Sequence, residues 1–203
     1  MSRRLSDAEL RAAVGEPSRT VREKQLDHLD RHARAFIAAS PLAIVSTASA
    51  DGRCDASPRG DPAGFAQVID DRTLLLPERK GNRRVDTLLN LTSNPHVGIL
   101  FIVPGTNETV RVNGRASVTD DAELLSGCTV EGKTPQLGIL VEVEEVFFHC
   151  ARAFLRGRVW YHDEWLERSA LPSLGRVLAD QIAGIGDAET IDADLEESNR
   201  SLY

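Results

Sequence analysis

The fold is decided by residues 73–92, which read TLLLPERKGNRRVDTLLNLT. Four cations lie within the six residues 79–84, around a Gly81-Asn82 step. The apolar run before them is typical of a strand, and the apolar residues after them recur at helical spacing. We therefore predict a strand, a basic turn and a helix in direct succession.

The basic turn is a candidate anion site. Asn82 is a good helix N-cap, which would place Arg83 and Arg84 in the first turn of a helix over residues 82–92. Cations there oppose the helix dipole, but a bound anion would be held by both the guanidinium groups and the free backbone N–H groups. A solvated basic turn is the alternative, and spacing alone does not choose between the two.

The flanking sequence predicts several antiparallel strands between terminal helices. The strand-like runs are residues 42–47, 53–60, 66–69, 72–76, 97–103, 109–115 and 139–148, and Asp51-Gly52 marks a tight hairpin turn. An amphipathic helix is expected over 18–39, and helical spacing returns from residue 166. The acidic segment 186–203 is expected to be a loosely held tail. This pattern indicates a β-barrel or sandwich with flanking helices.

Composition narrows the class of protein. The chain has 203 residues and a formal charge of −7, which favours one domain and argues against nucleic-acid or anionic-membrane partners. No apolar run approaches the roughly 20 residues of a membrane span, and the N-terminus lacks the apolar core of a signal peptide. Three widely spaced cysteines suit a reducing compartment. We therefore expect a cytoplasmic protein.

Common catalytic and metal motifs are missing. The sequence has no dinucleotide fingerprint, no Walker loop, no zinc-protease motif and no nucleophile elbow. His28 and His32 have a spacing that can bind metal, but no third ligand is near them, so no metal site is expected. His149 and Cys150 are neighbours on a strand and would point to opposite faces, which disfavours a Cys–His nucleophile.

The order of the motifs resembles a known family. In chain order these motifs are Ser57-Pro58-Arg59-Gly60, Gly81-Asn82-Arg83-Arg84 and Asn94-Pro95-His96-Val97. Together with the intervening strands they resemble the pyridoxamine 5′-phosphate oxidase-like family of FMN-binding split barrels. Residues 107–116 and 148–153 narrow the resemblance to bacterial FMN-binding proteins related to pyridoxamine 5′-phosphate oxidase. The resemblance covers about residues 20–165.

The resemblance implies an architecture. It is a mainly β fold with flanking helices, built on a six-stranded antiparallel split β-barrel. Two subunits would form a homodimer with FMN in the cleft between them. The chain would then divide into an N-terminal helical segment (1–39), an FMN-binding split-barrel domain (40–162) and a C-terminal helix with an acidic tail (163–203).

The resemblance also implies which residues bind FMN. The phosphate would lie on Asn82, Arg83 and Arg84, while Arg79 and Lys80 would belong to the solvated turn. The strand along the flavin would contribute Asp55, Ser57, Pro58, Arg59 and Gly60, and a second contact would come from Pro77 and Glu78. Thr109, in place of a glutamine from the partner subunit, would share its face with Arg111, and Phe148 and Arg158 would lie near the ring.

The implied activity is that of an FMN-dependent oxidoreductase that passes hydride between the flavin and an unidentified small substrate or nicotinamide donor. Its catalytic residues are not assigned. The family's Arg-x-His substrate element falls on Phe154 and Arg156 here, so pyridoxamine phosphate is not the expected substrate. The alternative is a non-catalytic protein that binds or stores flavin, haem or a deazaflavin. A flavin-free binder of phosphorylated ligands or nucleic acid is a weaker third interpretation, because the chain is acidic.

Overall fold

The structure is a computed structural model that describes residues 3–203. Its strands are β1 (Leu42–Ala48), β2 (Cys54–Gly60), β3 (Gln67–Val68), β4 (Thr73–Glu78), β5 (His96–Ile102), β6 (Thr109–Thr119) and β7 (Leu137–His149). Its helices are α1 (Asp7–Val14), α2 (Arg19–Glu23), α3 (Arg31–Ala39), α4 (Asp86–Ser93), α5 (Ala122–Ser126), α6 (Arg152–Arg156), α7 (Leu174–Gln181) and α8 (Ala188–Asn199). None of the helices within residues 3–203 combines the length and apolar character that a membrane span requires.

The strands form one antiparallel sheet in the order β2-β1-β5-β6-β7-β4-β3. In a flat sheet β2 and β4, five strand spacings apart, would be separated by about 24 Å. Instead, Arg59 Nε of β2 lies 3.0 Å from Glu78 Oε2 of β4. The sheet is therefore strongly curled, so that its two ends face each other. The predicted mainly β class with flanking helices is confirmed. The sheet has seven strands rather than the six of the barrel that the resemblance implies, and the two-residue β3 lies within the predicted run 66–69.

The core lies inside the curl of this sheet. Alternate residues of β1 and β6 point inward, among them Val45, Val110 and Val112, each fully buried. In β4 the run 74–76 is buried on both faces, because Leu74 and Leu76 join the main core while Leu75 packs against α5. This explains why β4 reads as a continuous apolar run rather than as an alternating one.

A β-bulge interrupts the pairing of β6 with β7. The register shifts between Asn113 and Gly114 because β7 contributes one extra residue, Glu144, so the inward–outward alternation breaks in β7 and continues in β6. A Cβ on Gly114 would lie 2.0 Å from the carbonyl oxygen of Glu142, so the close approach of the two strands requires glycine. Thr109 and Arg111 share one face of β6, as predicted from the strand, but Thr109 is buried at the strand's start whereas Arg111 is only partly buried.

The predicted helix over 18–39 is wrong as a single element. It is two helices, α2 and α3, separated by an irregular segment in which Leu26 exchanges backbone hydrogen bonds of 3.0 and 2.8 Å with Val146 of β7. Asp30 caps α3 by accepting hydrogen bonds from the backbone N–H groups of His32 and Ala33. His28 lies before this cap, so it does not share a helix face with His32. No metal-binding group of three or more ligands occurs in residues 3–203.

The segment 186–203, predicted to be a loosely held tail, is mostly helical, although its helix packs on α7 and not on the sheet. Asp187 caps α8, and α8 packs against α7. The side chain of Asp192 accepts a 2.7 Å hydrogen bond from the Gly175 N–H, which fixes the two helices together. The helix expected from residue 166 begins only at Leu174, where Ser173 caps it. The division of the chain at residues 39 and 162 stays a prediction.

Candidate functional site

Two adjoining cavities lie where β2, the end of β4 and the start of α4 meet. The larger, of about 580 Å³, is lined by most of the predicted FMN contacts. They are Asp55, Ser57, Pro58, Arg59, Gly60, Pro77, Glu78, Asn82 and Arg84. The smaller, of about 430 Å³, is lined by Arg83, by residues 133–136 of the loop before β7 and by Leu137, the first residue of β7. The structure therefore brings together ten of the fourteen predicted site residues, one of them in the second cavity only.

The edge strand β2 supplies one wall of the larger cavity. Its alternation turns Asp55, Ser57 and Arg59 towards the half-buried side. Asp55 accepts hydrogen bonds from Ser57 Oγ at 3.0 Å and from Thr87 Oγ1 of α4 at 2.6 Å. Because Arg59 is paired with Glu78, both walls of the cavity are fixed by polar contacts before any ligand binds.

The basic turn differs from the predicted helix start. Helix α4 begins at Asp86, so the prediction that Asn82 is its N-cap is wrong. Asn82 Oδ1 instead accepts a 3.0 Å hydrogen bond from the Arg84 N–H, and Arg83 has a left-handed backbone with φ 61°. The cap position is occupied by Val85, also left-handed at φ 51°, which gives α4 no side-chain cap. The N–H groups at the start of α4 are thus available to an anion.

The four cations of the turn have different environments. Arg79 is mostly buried: its Nε lies 2.6 Å from Asp61 Oδ2, and its Nη2 donates to the Cys128 carbonyl at 2.6 Å. The prediction that Arg79 belongs to a solvated turn is therefore wrong, because this side chain ties β4 to two loops. Lys80, in contrast, is exposed as predicted.

Arg83 and Arg84 are exposed, but they line different cavities. Arg84 Nε donates to Asp86 Oδ2 at 2.8 Å, whereas the Arg83 side chain makes no hydrogen bond or ion pair within residues 3–203. The left-handed backbone at Arg83 accounts for the divergence, since it turns the chain between the two side chains.

Three predicted contacts lie away from both cavities, near the paired ends of β6 and β7. Thr109 is buried at the start of β6. Arg111 Nη2 donates to Glu145 Oε1 at 3.1 Å, and its guanidinium carbon lies 4.3 Å from the centre of the Phe147 ring. Phe148 packs edge-on against Phe36, with 5.6 Å between the ring centres. Within one chain these residues form a separate aromatic and basic cluster.

The fourth, Arg158, is also remote from the cavities. It has a left-handed backbone, forms an ion pair with Glu164 and lies with its guanidinium carbon 4.0 Å from the centre of the Tyr161 ring. Its predicted place near a flavin ring, like those of Thr109, Arg111 and Phe148, stays a prediction.

His149 borders the aromatic and basic cluster, with its ring centre 5.0 Å from that of Phe147. Partial burial, followed by the positive charges of Arg111 and Lys24, lowers the pKa of His149. The ring is therefore held neutral, which leaves one nitrogen able to accept a proton or a hydrogen bond. Its neighbour Cys150 is exposed at the end of the strand.

The cavity linings also include residues that the sequence did not predict, among them Asp61, Thr87 and Tyr203. Asp61 directly follows the predicted flavin strand, and Thr87 lies in the first turn of α4, so both could have been found by extending the motifs. Nothing in the sequence signals Tyr203, which lies 142 residues from its partner Asp61.

The arrangement is suited to a ligand that carries a phosphate group. A helix start without a side-chain cap and a guanidinium group at its edge supply the kinds of donor that a phosphate dianion requires. The adjoining strand β2 carries Gly60 and Pro58, which offer little bulk against a flat ring. The site thus has a place for an anion at the start of α4 and a strand, β2, along which a flat ring could lie.

Comparison with known proteins gave one family match. The family model described as "Pyridoxamine 5'-phosphate oxidase" matches residues 29–150, which include all seven strands and α4. Among curated proteins no match was found.

Several solved structures resemble the chain at low identity. HupZ of Group A Streptococcus is 20% identical, with 59% of this chain and 92% of that chain covered and a TM-score of 0.48. A putative pyridoxamine 5′-phosphate oxidase of Lactobacillus delbrueckii is 23% identical, with 61% and 98% covered and a TM-score of 0.47. An FMN-binding protein of Syntrophomonas wolfei is 12% identical, with 58% and 83% covered and a TM-score of 0.45.

Proposed function

The chain belongs to the pyridoxamine 5′-phosphate oxidase family, and from this premise we propose that it is an FMN-dependent oxidoreductase. The observation that carries the proposal is the larger cavity, in which the uncapped start of α4 and Arg84 face the strand β2. FMN, when bound, would supply the redox chemistry by accepting and returning a hydride. Its substrate would be a small molecule or a nicotinamide donor.

The phosphate of FMN is proposed to lie at the start of α4. Arg84 is paired with Asp86 in an exposed contact, and exposed pairs contribute little, so a phosphate dianion can compete for the guanidinium group. Arg83 and the side chain of Asn82 border the same turn. The donors of this turn thus match the charge and hydrogen-bonding needs of the group they would hold.

The flavin ring and its ribityl chain are proposed to follow β2 from Asp55 to Gly60, with Pro77 and Glu78 opposite. Arg59 is the cation closest to this path, and its contact with Glu78 fixes its position. Negative charge develops on a flavin as it is reduced, and an arginine near the ring would stabilise that charge. No side chain is assigned as an acid or base.

The site is proposed to be completed by a second copy of the chain. Thr109, Arg111, Phe148 and Arg158 lie outside the cavities of their own chain, although the family resemblance expects them near the flavin. A homodimer with two-fold symmetry would bring this cluster from one subunit towards the cavity of the other.

The test is a flavin titration of the purified protein. We expect an FMN absorption spectrum or stoichiometric FMN binding, bleaching by NADH or NADPH, and reoxidation by an added acceptor. The double variant Arg83→Ala/Arg84→Ala removes two charge-assisted phosphate contacts, so FMN affinity should fall by about a hundred-fold or more. The matched control is Arg19→Ala/Arg22→Ala, two exposed arginines on α2, which should bind FMN as the wild type does.

Other outcomes would change the proposal in different ways. Binding of FMN without bleaching by any donor would favour a flavin carrier over an enzyme. A haem or deazaflavin spectrum would replace FMN as the cofactor. Full flavin occupancy in the Arg83→Ala/Arg84→Ala variant would show that the phosphate lies elsewhere.

A further inference from the structure

Tyr203 reaches back to the wall of the smaller cavity. Its hydroxyl donates a hydrogen bond to Asp61 Oδ1, and its ring centre lies 5.2 Å from the guanidinium carbon of Arg79. The side chain lines this cavity together with Arg83 and Leu88. A residue far away in the sequence thus closes one side of the site.

The partners of Tyr203 are firmly held. The side chain of Asp61 is 1% exposed, and that of Arg79 is 16% exposed. Arg79 is held in turn by the Cys128 carbonyl. Tyr203 therefore docks on a fixed, buried ion pair rather than on mobile surface groups, and the bond to Asp61 raises the pKa of its phenol, which remains the donor at ordinary pH.

The segment that carries Tyr203 has little else to hold it. Helices α7 and α8 pack against each other rather than on the sheet. Several of their apolar side chains and neighbours remain exposed, among them Leu171, Leu174 and Leu202. Within residues 3–203, the bond from Tyr203 to Asp61 is the one hydrogen bond or ion pair that joins residues 166–203 to the rest of the chain.

The smaller cavity has a distinct charge. Lys80, Arg83 and Lys133 line it, and none of their side chains has a hydrogen bond or ion pair among the residues that the structure describes. Its one lining carboxylate, Glu78, is paired with Arg59. A ligand in this cavity is therefore expected to be an anion.

We propose that residues 200–203 form a strap, which Tyr203 fastens to Asp61 and Arg79 and which must release for an anionic ligand to enter or leave. A wall that is held by one side chain can open without unfolding the barrel, since the core does not include it. The two cavities share the lining residues Glu78 to Asn82, so FMN bound in the larger cavity would border the smaller one, and for this ligand the strap rests on the proposed function. Its release would then set the rates of binding rather than the affinity.

The first test is stopped-flow measurement of FMN binding, followed by flavin fluorescence. In Tyr203→Ala the association and dissociation rates should both rise about ten-fold, since one hydrogen bond to a charged group is lost, and Kd should stay within about three-fold. Tyr203→Phe keeps the ring on Arg79 and should give a smaller rise. Val14→Ala, which shortens an exposed side chain on α1 away from both cavities, should leave the rates unchanged.

Two results would overturn the strap. Unchanged rates in Tyr203→Ala would show that the segment does not control access. A rise in the dissociation rate alone would make Tyr203 a ligand contact instead.

A second test needs no flavin. Hydrogen–deuterium exchange of the ligand-free protein should speed up about ten-fold at the backbone amides of residues 79–83, 133, 134 and 136 in Tyr203→Ala, because these residues line the cavity that Tyr203 borders. Unchanged exchange there would refute the strap even if FMN binds. If exchange is faster in Tyr203→Ala but the protein does not bind FMN, the strap is supported and the proposed FMN function is contradicted.

Discussion

Arg79 and Arg84 carry the same charge five residues apart, yet their surroundings give them different tasks. Arg79 lies under the surface, with a buried carboxylate on one side and a backbone carbonyl on the other. Arg84 is 73% exposed and has only the neighbouring Asp86 as partner. The two arginines differ in burial, and a cluster of charged residues in the sequence does not show which of its members are buried. The buried Arg79 supports the loops, whereas the exposed Arg84 can bind a ligand.

Arg79→Ala should therefore destabilise the fold strongly. The substitution leaves the Asp61 carboxylate buried without its cation, and breaking a buried pair in this way costs about 3–5 kcal/mol. The free energy of unfolding, measured by urea denaturation, should fall by that amount. Arg84→Ala is the control and should change it by no more than about 1 kcal/mol, because its pair is exposed. Equal losses in the two variants would contradict this division.

His149 makes stability depend on pH. Burial and the charges of Arg111 and Lys24 lower its pKa in the folded protein from an ordinary value of 6.5. Below pH 6.5 the imidazole of His149 therefore binds a proton more readily in the unfolded chain than in the folded protein. The free energy of unfolding is highest above pH 6.5 and decreases as the pH falls below it. His149→Gln removes this loss.

The measurement is urea unfolding at about pH 7.5 and about pH 5.5, on either side of the titration. The difference in unfolding free energy between the two pH values should shrink in His149→Gln. The exposed His96 provides the control, since His96→Gln should leave that difference as it is in the wild type. An unchanged difference in His149→Gln would show that this imidazole does not carry the acid-side loss.

At the scale of elements, the strands could be predicted and the helix boundaries could not. Strands such as β1 and β5 have local signals, namely apolar and β-branched runs between turn residues, and these signals agree with the sheet. The break between α2 and α3 depends on Leu26 pairing with β7, more than a hundred residues away, and no local pattern shows such a contact. For the same reason the sequence located the β2 and α4 walls of the candidate site but not the tyrosine that closes it.

Gly114 tests the bulge in the pairing of β6 with β7. A Cβ there would overlap the Glu142 carbonyl oxygen at 2.0 Å, and backbone cannot move aside as a flexible side chain can. Gly114→Ala should therefore cost about 2–4 kcal/mol of unfolding free energy, as strained core substitutions do. The control is Gly127→Ala, since Gly127 has helical dihedral angles and an added Cβ would lie 3.8 Å from its nearest neighbour. A loss below about 1 kcal/mol in Gly114→Ala would mean that the bulge adapts.

Val85 tests the strain at the start of α4. A β-branched residue at φ 51° is unfavourable, and such strain collects at binding sites. Val85→Asn should stabilise the protein by about 1 kcal/mol, because asparagine tolerates the left-handed conformation and also caps helices. Glu131→Gly, which relieves a residue at φ 50° without touching a helix start, controls for the effect of strain alone. A destabilised Val85→Asn would show that packing of the valine outweighs its strain.

At the scale of the whole molecule, the predicted flavin contacts fall on two surfaces of one chain. Nine of them line the larger cavity, and Thr109, Arg111, Phe148 and Arg158 lie outside it. The cavity of a single subunit would then hold the phosphate of FMN but would lack the basic and aromatic cluster. The resemblance places that cluster near the flavin ring. Two copies related by a two-fold axis can supply both parts to each of two sites, which is why the proposed enzyme is a homodimer.

Mixed dimers separate a shared site from one built within a chain. Arg84→Ala and Arg111→Ala should each weaken FMN binding, and light scattering should give each variant about 44 kDa, twice the 22.2 kDa of one chain.

If Arg84 and Arg111 of different subunits meet at one flavin, a mixed dimer holds one site with both defects and one intact site. After dissociation and random reassociation of equal amounts, half of the dimers are mixed, so about a quarter of all sites should recover wild-type FMN affinity. If both arginines of a site come from one chain, every site keeps a defect and mixing restores none. A monomeric mass would remove the shared site altogether, so the titration and the scattering together decide how the molecule is assembled around its ligand.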